Sequence, residues 1–139
     1  MDVEAAVADT GFVVALLNRS DQRHAAAATV YLRQQTVLLP QTTLTEVAYL
    51  VGRDAWVATT IAFLQGLSAS RFRLIALTEQ DVIRVAAILE QYADSRIDFV
   101  DATVMAIAER YRSQIILTLD QRDFRMFRPQ HCESFILLP

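Results

Sequence analysis

The sequence predicts an α/β fold, a three-layer α/β/α sandwich around a mainly parallel central sheet. Short runs of Val, Ile and Leu recur along the chain, and segments with the apolar spacing of amphipathic helices separate them. Strands made of continuous apolar runs are typical of parallel sheets that are covered on both faces. The chain has no linker, repeat or low-complexity tract, so we expect one domain over residues 1–139.

Each element of that fold is predicted by its own pattern. Five short apolar runs indicate strands, and the second of them ends at Pro40. Apolar residues at helical spacing indicate the helices. The strands are expected over 5–8, 36–40, 72–77, 114–119 and 134–139. The helices are expected over 11–18, 22–35, 43–53, 55–67, 79–93, 99–111 and 121–127.

The composition excludes several kinds of chemistry. The single cysteine, Cys132, cannot form an internal disulfide or a thiolate zinc site, which needs several ligands. All 13 basic residues are Arg, which excludes Schiff-base chemistry and a phosphate-binding lysine, and three Gly are too few for a glycine-rich phosphate loop. No apolar stretch reaches the ~20 residues of a membrane span, and the start of the chain is acidic where a secretory signal would be basic. We therefore expect a cytoplasmic protein with no membrane partner.

The overall charge is low for a protein that binds nucleic acid. The net charge is −3 and the sequence pI is near 5.3, whereas phosphate binding usually relies on a basic surface. A metal-dependent nuclease, however, carries a carboxylate cluster that lowers its formal charge, and the bound cation then becomes the largest local charge. The charge therefore stays compatible with a nucleic-acid substrate.

Four acidic residues lie where apolar runs give way to helical patterns. Asp9 and Asp120 each follow a predicted strand, and parallel strands end on the same edge of a sheet. Glu46 is expected in the first turn of the helix after the second strand, and Asp101 lies at the start of another helix, three residues after Asp98. The pattern predicts carboxylates that gather at one sheet edge and bind a divalent metal.

Each acid also has a purely structural alternative, because acids favour the first turn of a helix. Gathering four of them would be costly unless a cation or a proton neutralises them. Three pairs have the spacing of a capping box: Thr43 with Glu46, Asp98 with Asp101, and Asp120 with Asp123.

Four segments that run in order over nearly the whole chain resemble the PIN-domain nucleases, and among them the VapC-type toxins of bacterial toxin–antitoxin pairs. These segments are VADTGFVVALL, TTLTEVAYLV, DFVDATVMAIAER and TLDQRDF, followed by a final FILLP. The resemblance implies a PIN-like fold with a catalytic, metal-binding quartet of Asp9, Glu46, Asp101 and Asp120. It further implies that Asp98 and Asp123 are additional, auxiliary ligands of the metal, and that Thr10 and Thr118 are auxiliary residues beside the quartet.

The same resemblance implies a ribonuclease, a homodimer and a small cognate antitoxin. Hard carboxylate oxygens favour Mg²⁺ or Mn²⁺, which would lower the pKa of a bound water and neutralise the scissile phosphate. In-line attack would leave a 5′-phosphate and a 3′-hydroxyl on the RNA. Phosphates would be positioned by a local excess of basic residues, whose alternative is a solvated helical face: Arg122, Arg125, Arg128 and His131.

Two further features have structural alternatives of their own. His24 lies at the head of an Ala-rich helix and is expected to be a surface or capping residue, because catalysis would need a partner that the sequence does not show. The predicted helix 55–67 is apolar over a wide arc and is expected to be core, a partner surface, or both. We expect this helix and the preceding segment 46–53 to contact a partner. The stripe comprises Trp56, Thr60, Phe63 and Leu67, broadened by Val57, Ile61 and Leu64.

Two rival functions stay open at this point. A phosphohydrolase that uses Asp9 as nucleophile would be expected to carry a second Asp two residues later, where Gly11 stands, and a Lys. A non-catalytic interaction module would keep the fold but lose acids of the quartet, which is complete here.

Overall fold

The computed structural model describes residues 4–53 and 57–139. Over these residues five strands form one sheet in which every neighbouring pair is parallel, in the order β3-β2-β1-β4-β5. The strands are β1 Ala6–Ala8, β2 Val37–Pro40, β3 Phe72–Ile75, β4 Ile115–Leu117 and β5 Ile136–Leu138.

Seven α-helices connect these strands within the described residues. They are α1 Thr10–Leu17, α2 His24–Arg33, α3 Gln41–Arg53, α4 Val57–Gly66, α5 Glu79–Gln91, α6 Phe99–Arg110 and α7 Arg122–Met126. A 3₁₀ turn, Leu67–Ala69, follows α4. Every predicted strand and helix is present, and the differences lie at the ends of the elements.

The helices cover both faces of the sheet, because successive strand residues point to opposite sides. Val7 packs into one core with residues of α5, α6 and α7. Its neighbours Ala6 and Ala8 pack into a second core with residues of α1, α2 and α3. The predicted three-layer α/β/α arrangement is therefore confirmed.

The strand order positions a crevice beside β1. The chain passes from β1 to β2 and β3 on one side, and β4 then pairs with β1 on the other side. Ligands of open α/β sheets usually bind at the carboxyl ends of the strands where the order reverses in this way. Here that place lies between the ends of β1 and β4, which Asp9 follows directly and Asp120 follows after two residues.

The structure also tests the expectation about membranes. Over residues 4–53 and 57–139 no helix has both the length and the apolar character needed to cross a bilayer.

Candidate active site

One cleft at the carboxyl edge of the sheet is lined by all four predicted acids. Its volume is about 380 Å³. Each acid comes from a different segment of the chain, and apolar side chains of Val14, Leu50, Val100 and Leu119 lie between them. The four acids that the cleft brings together are Asp9, Glu46, Asp101 and Asp120.

Asp9 is the most constrained of the four acids. It follows β1 directly and caps α1, with its Oδ1 accepting the Phe12 backbone N–H at 3.0 Å. Its Oδ2 accepts the Thr118 hydroxyl at 2.5 Å, a bond that crosses from β1 to β4. Both carboxylate oxygens are therefore held, and the side chain has one orientation in the cleft.

Burial raises the pKa of Asp9 from 3.8 to about 6. The hydrogen bonds from Thr118 and Phe12 oppose this change, because they favour the carboxylate, and the negative charges of Asp120 and Glu46 add to it. An ionised Asp9 is thus unfavourable in the cleft without a nearby cation.

Thr118 links the end of β4 to the end of β1 through its bond to Asp9. Its side chain is fully buried, and its hydroxyl also lies 2.9 Å from the backbone carbonyl of Asp120. One hydroxyl proton cannot serve both acceptors fully. If Asp9 is protonated, its own O–H can donate to Thr118, and Thr118 can then donate to the Asp120 carbonyl.

Asp101 lies in the first turn of α6, and its carboxylate forms a capping box with Asp98. The Asp101 N–H donates to Asp98 Oδ1 at 2.9 Å, and the Asp98 N–H donates to Asp101 Oδ2 at 3.2 Å. The predicted Asp98–Asp101 capping box is therefore confirmed. Asp101 also lines the cleft, so capping and a role in the site do not exclude each other here.

Burial raises the pKa of Asp101 from 3.8 to about 7. The backbone hydrogen bond with Asp98 opposes this change, and the charges of Asp98 and Asp123 add to it. Asp98 itself is exposed and does not line the cleft.

Glu46 reaches the cleft from α3, but one detail of its prediction is wrong. Helix α3 begins at Gln41, directly after Pro40, so Glu46 lies in the second turn rather than the first. The Thr43–Glu46 capping box is wrong for the same reason. Thr43 is buried inside the helix, and its hydroxyl donates to the Ala8 carbonyl at 3.4 Å.

The third predicted capping box is also wrong. Gln121 precedes α7 and makes no side-chain capping bond, so neither Asp120 nor Asp123 is needed to begin this helix. Asp120 is exposed in the loop after β4 and lines the cleft. Asp123 lies outside the cleft and lines a neighbouring cavity.

Thr10 supplies a polar group that has no partner among the described residues. It is the first residue of α1, lines the cleft, and is 8% exposed. Its hydroxyl oxygen is buried and has no hydrogen-bond partner among residues 4–53 and 57–139. Buried hydroxyls are normally bonded, so this one is available to a ligand.

Two charged residues of the cleft were not predicted. Asp21 and Arg23 lie in the loop between α1 and α2 and line the cleft. The Arg23 backbone N–H donates to Asp21 Oδ1 at 2.8 Å, and its guanidinium Nε lies 3.6 Å from the same oxygen. Loop residues have no periodic pattern, so only their charge could have marked them.

The predicted basic cluster does not gather at the cleft. Arg122 lines the neighbouring cavity, and the Arg125 guanidinium donates to the Gln121 side chain at 3.1 Å. Arg128 donates to the Arg125 carbonyl. His131 lies at the opposite edge of the sheet, 2.7 Å from the Ser113 carbonyl oxygen, because the chain must return there before the parallel strand β5 begins. Its predicted place near the site is wrong.

His24 bonds to a helix end and not to the site, in line with the expectation of a surface or capping residue. It begins α2, and its ring Nδ1 lies 3.0 Å from the Ala15 carbonyl oxygen. It does not line the cleft.

The donor set of the cleft fits Mg²⁺ or Mn²⁺. Carboxylate oxygens and a free hydroxyl are hard ligands, and a cation would favour the ionised form of the buried Asp9 and Asp101 carboxyls, whose pKa values are raised. In the described part of the chain, no three Asp, Glu, His or Cys side chains converge into a preassembled metal-binding group. The four acids instead line the walls of an open cleft, which is the arrangement expected of like charges that repel each other.

A comparison with protein-family models identifies the fold. The PIN domain matches residues 6–128, which span all the segments that carry the four acids. The chain belongs to the PIN-domain family. The resemblance predicted from the sequence motifs is thereby confirmed.

Individual PIN-domain relatives cover almost the whole chain. Ribonuclease VapC26 of Mycobacterium tuberculosis is 28% identical over 134 residues, which are 96% of this chain and 99% of that protein. The crystal structure of Mycobacterium tuberculosis VapC20, a sarcin–ricin loop cleaving toxin, has a TM-score of 0.73 at 24% identity and covers 81% of this chain and 87% of that one. The structure of VapBC2 from Rickettsia felis bound to a promoter DNA fragment has a TM-score of 0.69 at 16% identity and covers 96% of both chains.

Proposed function

We propose that this protein is a metal-dependent ribonuclease that cuts RNA phosphodiester bonds and serves as the toxin of a bacterial type II toxin–antitoxin pair. The observation that carries the proposal is the cleft of a PIN domain lined by four carboxylates from four segments. The similarity to Ribonuclease VapC26 over almost the full length supports RNA as the substrate.

The metal would be held by the cleft acids. We assign Asp9, Glu46, Asp101 and Asp120 as its ligands. Asp98 and Asp123 would contribute indirectly, because their negative charges raise the pKa of Asp101. Mg²⁺ or Mn²⁺, when bound there, would neutralise the scissile phosphate and make water a stronger nucleophile.

The protein's own groups would position the substrate. Asp9 keeps one orientation because Phe12 and Thr118 hold its two oxygens. The free Thr10 hydroxyl can donate to a phosphate oxygen. Arg23 is the cation that lines the cleft, and its guanidinium is suited to a phosphate of the bound strand.

The rival phosphohydrolase fits this geometry less well. Gly11 lines the cleft where the second Asp of that mechanism would be expected.

A partner surface is proposed on α3 and α4, where apolar side chains face solvent. Exposed patches of this kind are typical of protein interfaces. We propose that a second copy of the chain and a small antitoxin use this side of the molecule, and the likeness to a toxin–antitoxin complex from Klebsiella pneumoniae agrees with an antitoxin. Trp56, which was predicted to belong to the stripe, lies outside the described residues. The exposed side chains are Tyr49, Val57, Ile61 and Leu64.

The activity is tested by incubating the purified protein with single-stranded RNA and Mg²⁺, with excess EDTA as the control. We expect cleavage products with 5′-phosphates and no cleavage in EDTA. A parallel assay with p-nitrophenyl phosphate, a monoester, separates the alternatives, because a phosphohydrolase would turn over the monoester and spare RNA.

A further inference from the structure

A second cavity lies beside the acidic cleft, and one of the residues that line it is Asp123, whose charge acts on Asp101 of the cleft. Its volume is about 400 Å³, within the usual range for ligand sites. The residues that line it include two arginines, two aspartates, one of which is Asp123, and one exposed apolar side chain. Those that matter here are Gln91, Tyr92, Asp94, Arg96, Arg122 and Met126.

The chain itself joins this cavity to the cleft at two points. Arg96 precedes Asp98, whose backbone N–H donates to the Asp101 carboxylate in the cleft. Arg122 follows Asp120 of the cleft by two residues. The segments at the starts of α6 and α7 therefore contribute residues to both openings.

The two arginines of the cavity differ from those that stabilise the fold. The Arg84 guanidinium makes two bonds to the Glu109 carboxylate, and Arg110 pairs with Asp81. Arg96 and Arg122 are exposed and make no ion pair or side-chain hydrogen bond with any residue in 4–53 and 57–139. Their guanidinium groups are free to bind phosphate.

The rest of the cavity suits a nucleobase. Tyr92 forms a fixed wall, because its ring packs against Phe127 at 5.4 Å between centroids and its hydroxyl accepts the Arg128 backbone N–H at 3.0 Å. Met126 is 42% exposed and offers an apolar contact. Gln91 and Asp94 present amide and carboxylate groups of the kind that bond the edges of unpaired bases.

We propose that this second cavity binds a nucleotide of the RNA strand adjacent to the one whose phosphate is cut, with Arg96 and Arg122 holding its flanking phosphates. The inference rests on the proposed ribonuclease function and adds to it the direction in which the strand leaves the cleft. Arg96 and Arg122 are positioning residues in this account, since they contact RNA away from the reacting atoms.

The test compares the double variant Arg96→Gln/Arg122→Gln with wild type on two substrates. One is a mixed-sequence single-stranded RNA of ten nucleotides, and the other is bis(p-nitrophenyl) phosphate, a diester too small to reach the second cavity. For the RNA we expect KM to rise about tenfold or more with little change in kcat. For the small diester we expect no change in either constant.

A control and a binding measurement complete the design. Arg19→Gln/Arg33→Gln removes the same charge from exposed positions that line neither cavity, and it should cut the RNA as wild type does. Binding of the same RNA with a 5′-fluorescein label, followed by anisotropy in EDTA, should show a salt dependence of log K that is weaker by about 1.4 in the Arg96/Arg122 variant, since two phosphate contacts are lost.

Each outcome decides one proposal separately. If the Arg96/Arg122 variant binds and cuts the RNA like the Arg19/Arg33 control, the second cavity does not hold the strand, although the ribonuclease function stands. If wild type cuts neither substrate but the Arg96/Arg122 variant alone loses RNA binding, the nucleotide site stands and the proposed hydrolysis fails. A loss of activity on both substrates would show that the arginines act on the cleft itself, which would also overturn the inference.

Discussion

The two ends of the acidic cleft are built by different means. At the sheet end, Asp9 is 8% exposed, and bonds from two separate segments hold both its oxygens. At the helix end, Asp101 is half-buried, and its capping box with Asp98 lies entirely within the start of α6. The sheet end depends on long-range packing of β1 against β4, whereas the helix end is specified by four consecutive residues.

The charges around these two ends also differ. The pKa of Asp9 is raised by burial and then by the charges of Asp120 and Glu46. The pKa of Asp101 is raised by burial and then by the charges of Asp98 and Asp123. The cleft therefore joins two acidic groups, and a cation between Asp9 and Asp101 would relieve both at once.

The largest expected effect concerns activity. Asp9→Asn and Asp101→Asn keep the size of each side chain but remove an anionic ligand, so Mg²⁺-dependent RNA cleavage should fall by roughly 10- to 100-fold or more in each. Asp123→Asn should cost less, because Asp123 lies outside the cleft. Initial rates on one RNA measure all three, and full activity in Asp101→Asn would limit that residue to helix capping.

The next prediction compares the sheet end and the helix end of the cleft by the free energy of unfolding in EDTA. Because the folded pKa of Asp9 lies above 3.8, its contribution to stability is fully present below about pH 4 and is lost as the pH rises through about 6. At pH 8, Asp9→Asn should therefore be more stable than wild type, by at most ~3 kcal/mol for a change of about two pKa units. The Asn amide can donate to Thr118, which then donates to the Asp120 carbonyl.

Urea unfolding at pH 4 and pH 8 measures this difference. The advantage of Asp9→Asn should disappear at pH 4. An advantage that persists there would mean that the substitution acts through packing and not through charge. For Asp101→Asn we expect the stability advantage over wild type to grow in the same way as the pH rises to about 7. This advantage should be smaller than that of Asp9→Asn, because the Asp101 carboxylate is partly solvated.

Metal binding should show how the two ends cooperate. Mg²⁺ binds the folded cleft and hardly the unfolded chain, so at 100 times Kd it should stabilise wild type by about 2.7 kcal/mol. Na⁺ at equal ionic strength should do little. Melting curves of wild type and Asp101→Asn with and without Mg²⁺ check this, and an equal shift in both proteins would place the cation elsewhere.

The smallest expected effect tests the bond that joins β1 to β4. Thr118→Val keeps the shape of a fully buried side chain but removes the one hydroxyl that the Asp120 carbonyl and an Asp9 oxygen share, at a cost of about 1–3 kcal/mol. Thr118→Ser retains the hydroxyl and is the matched control. Equal losses of stability in the two variants would mean that packing of the Thr methyl group, and not the hydroxyl, matters here.

The same contrast explains what could be predicted from the sequence. Apolar runs and helical spacing depend on local residues, and they located every strand and helix of the described chain. The Asp98–Asp101 box was predicted because both partners lie within one turn. The Thr43–Glu46 box failed because α3 begins at Gln41, directly after the strand residue Pro40, so that Thr43 lies inside the helix. Its hydroxyl bonds instead to the carbonyl of Ala8, 35 residues away, which a local pattern cannot reveal.

Contacts made by loops could not be predicted from the sequence for a similar reason. Arg23 reaches the cleft through a loop between α1 and α2, and Arg96 reaches the second cavity through the loop before α6. The direction of a loop depends on the packed elements at its two ends. His131 shows the converse, since its nearness in sequence to Arg122 and Arg125 suggested a shared site at the wrong edge of the sheet.

The most direct test of the central claim is anomalous diffraction from crystals soaked in Mn²⁺. The account predicts a single strong peak in the cleft, with carboxylate oxygens of Asp9, Glu46, Asp101 and Asp120 as its protein ligands. A fully occupied Mn²⁺ bound outside this cleft, with none between Asp9 and Asp101, would contradict the account.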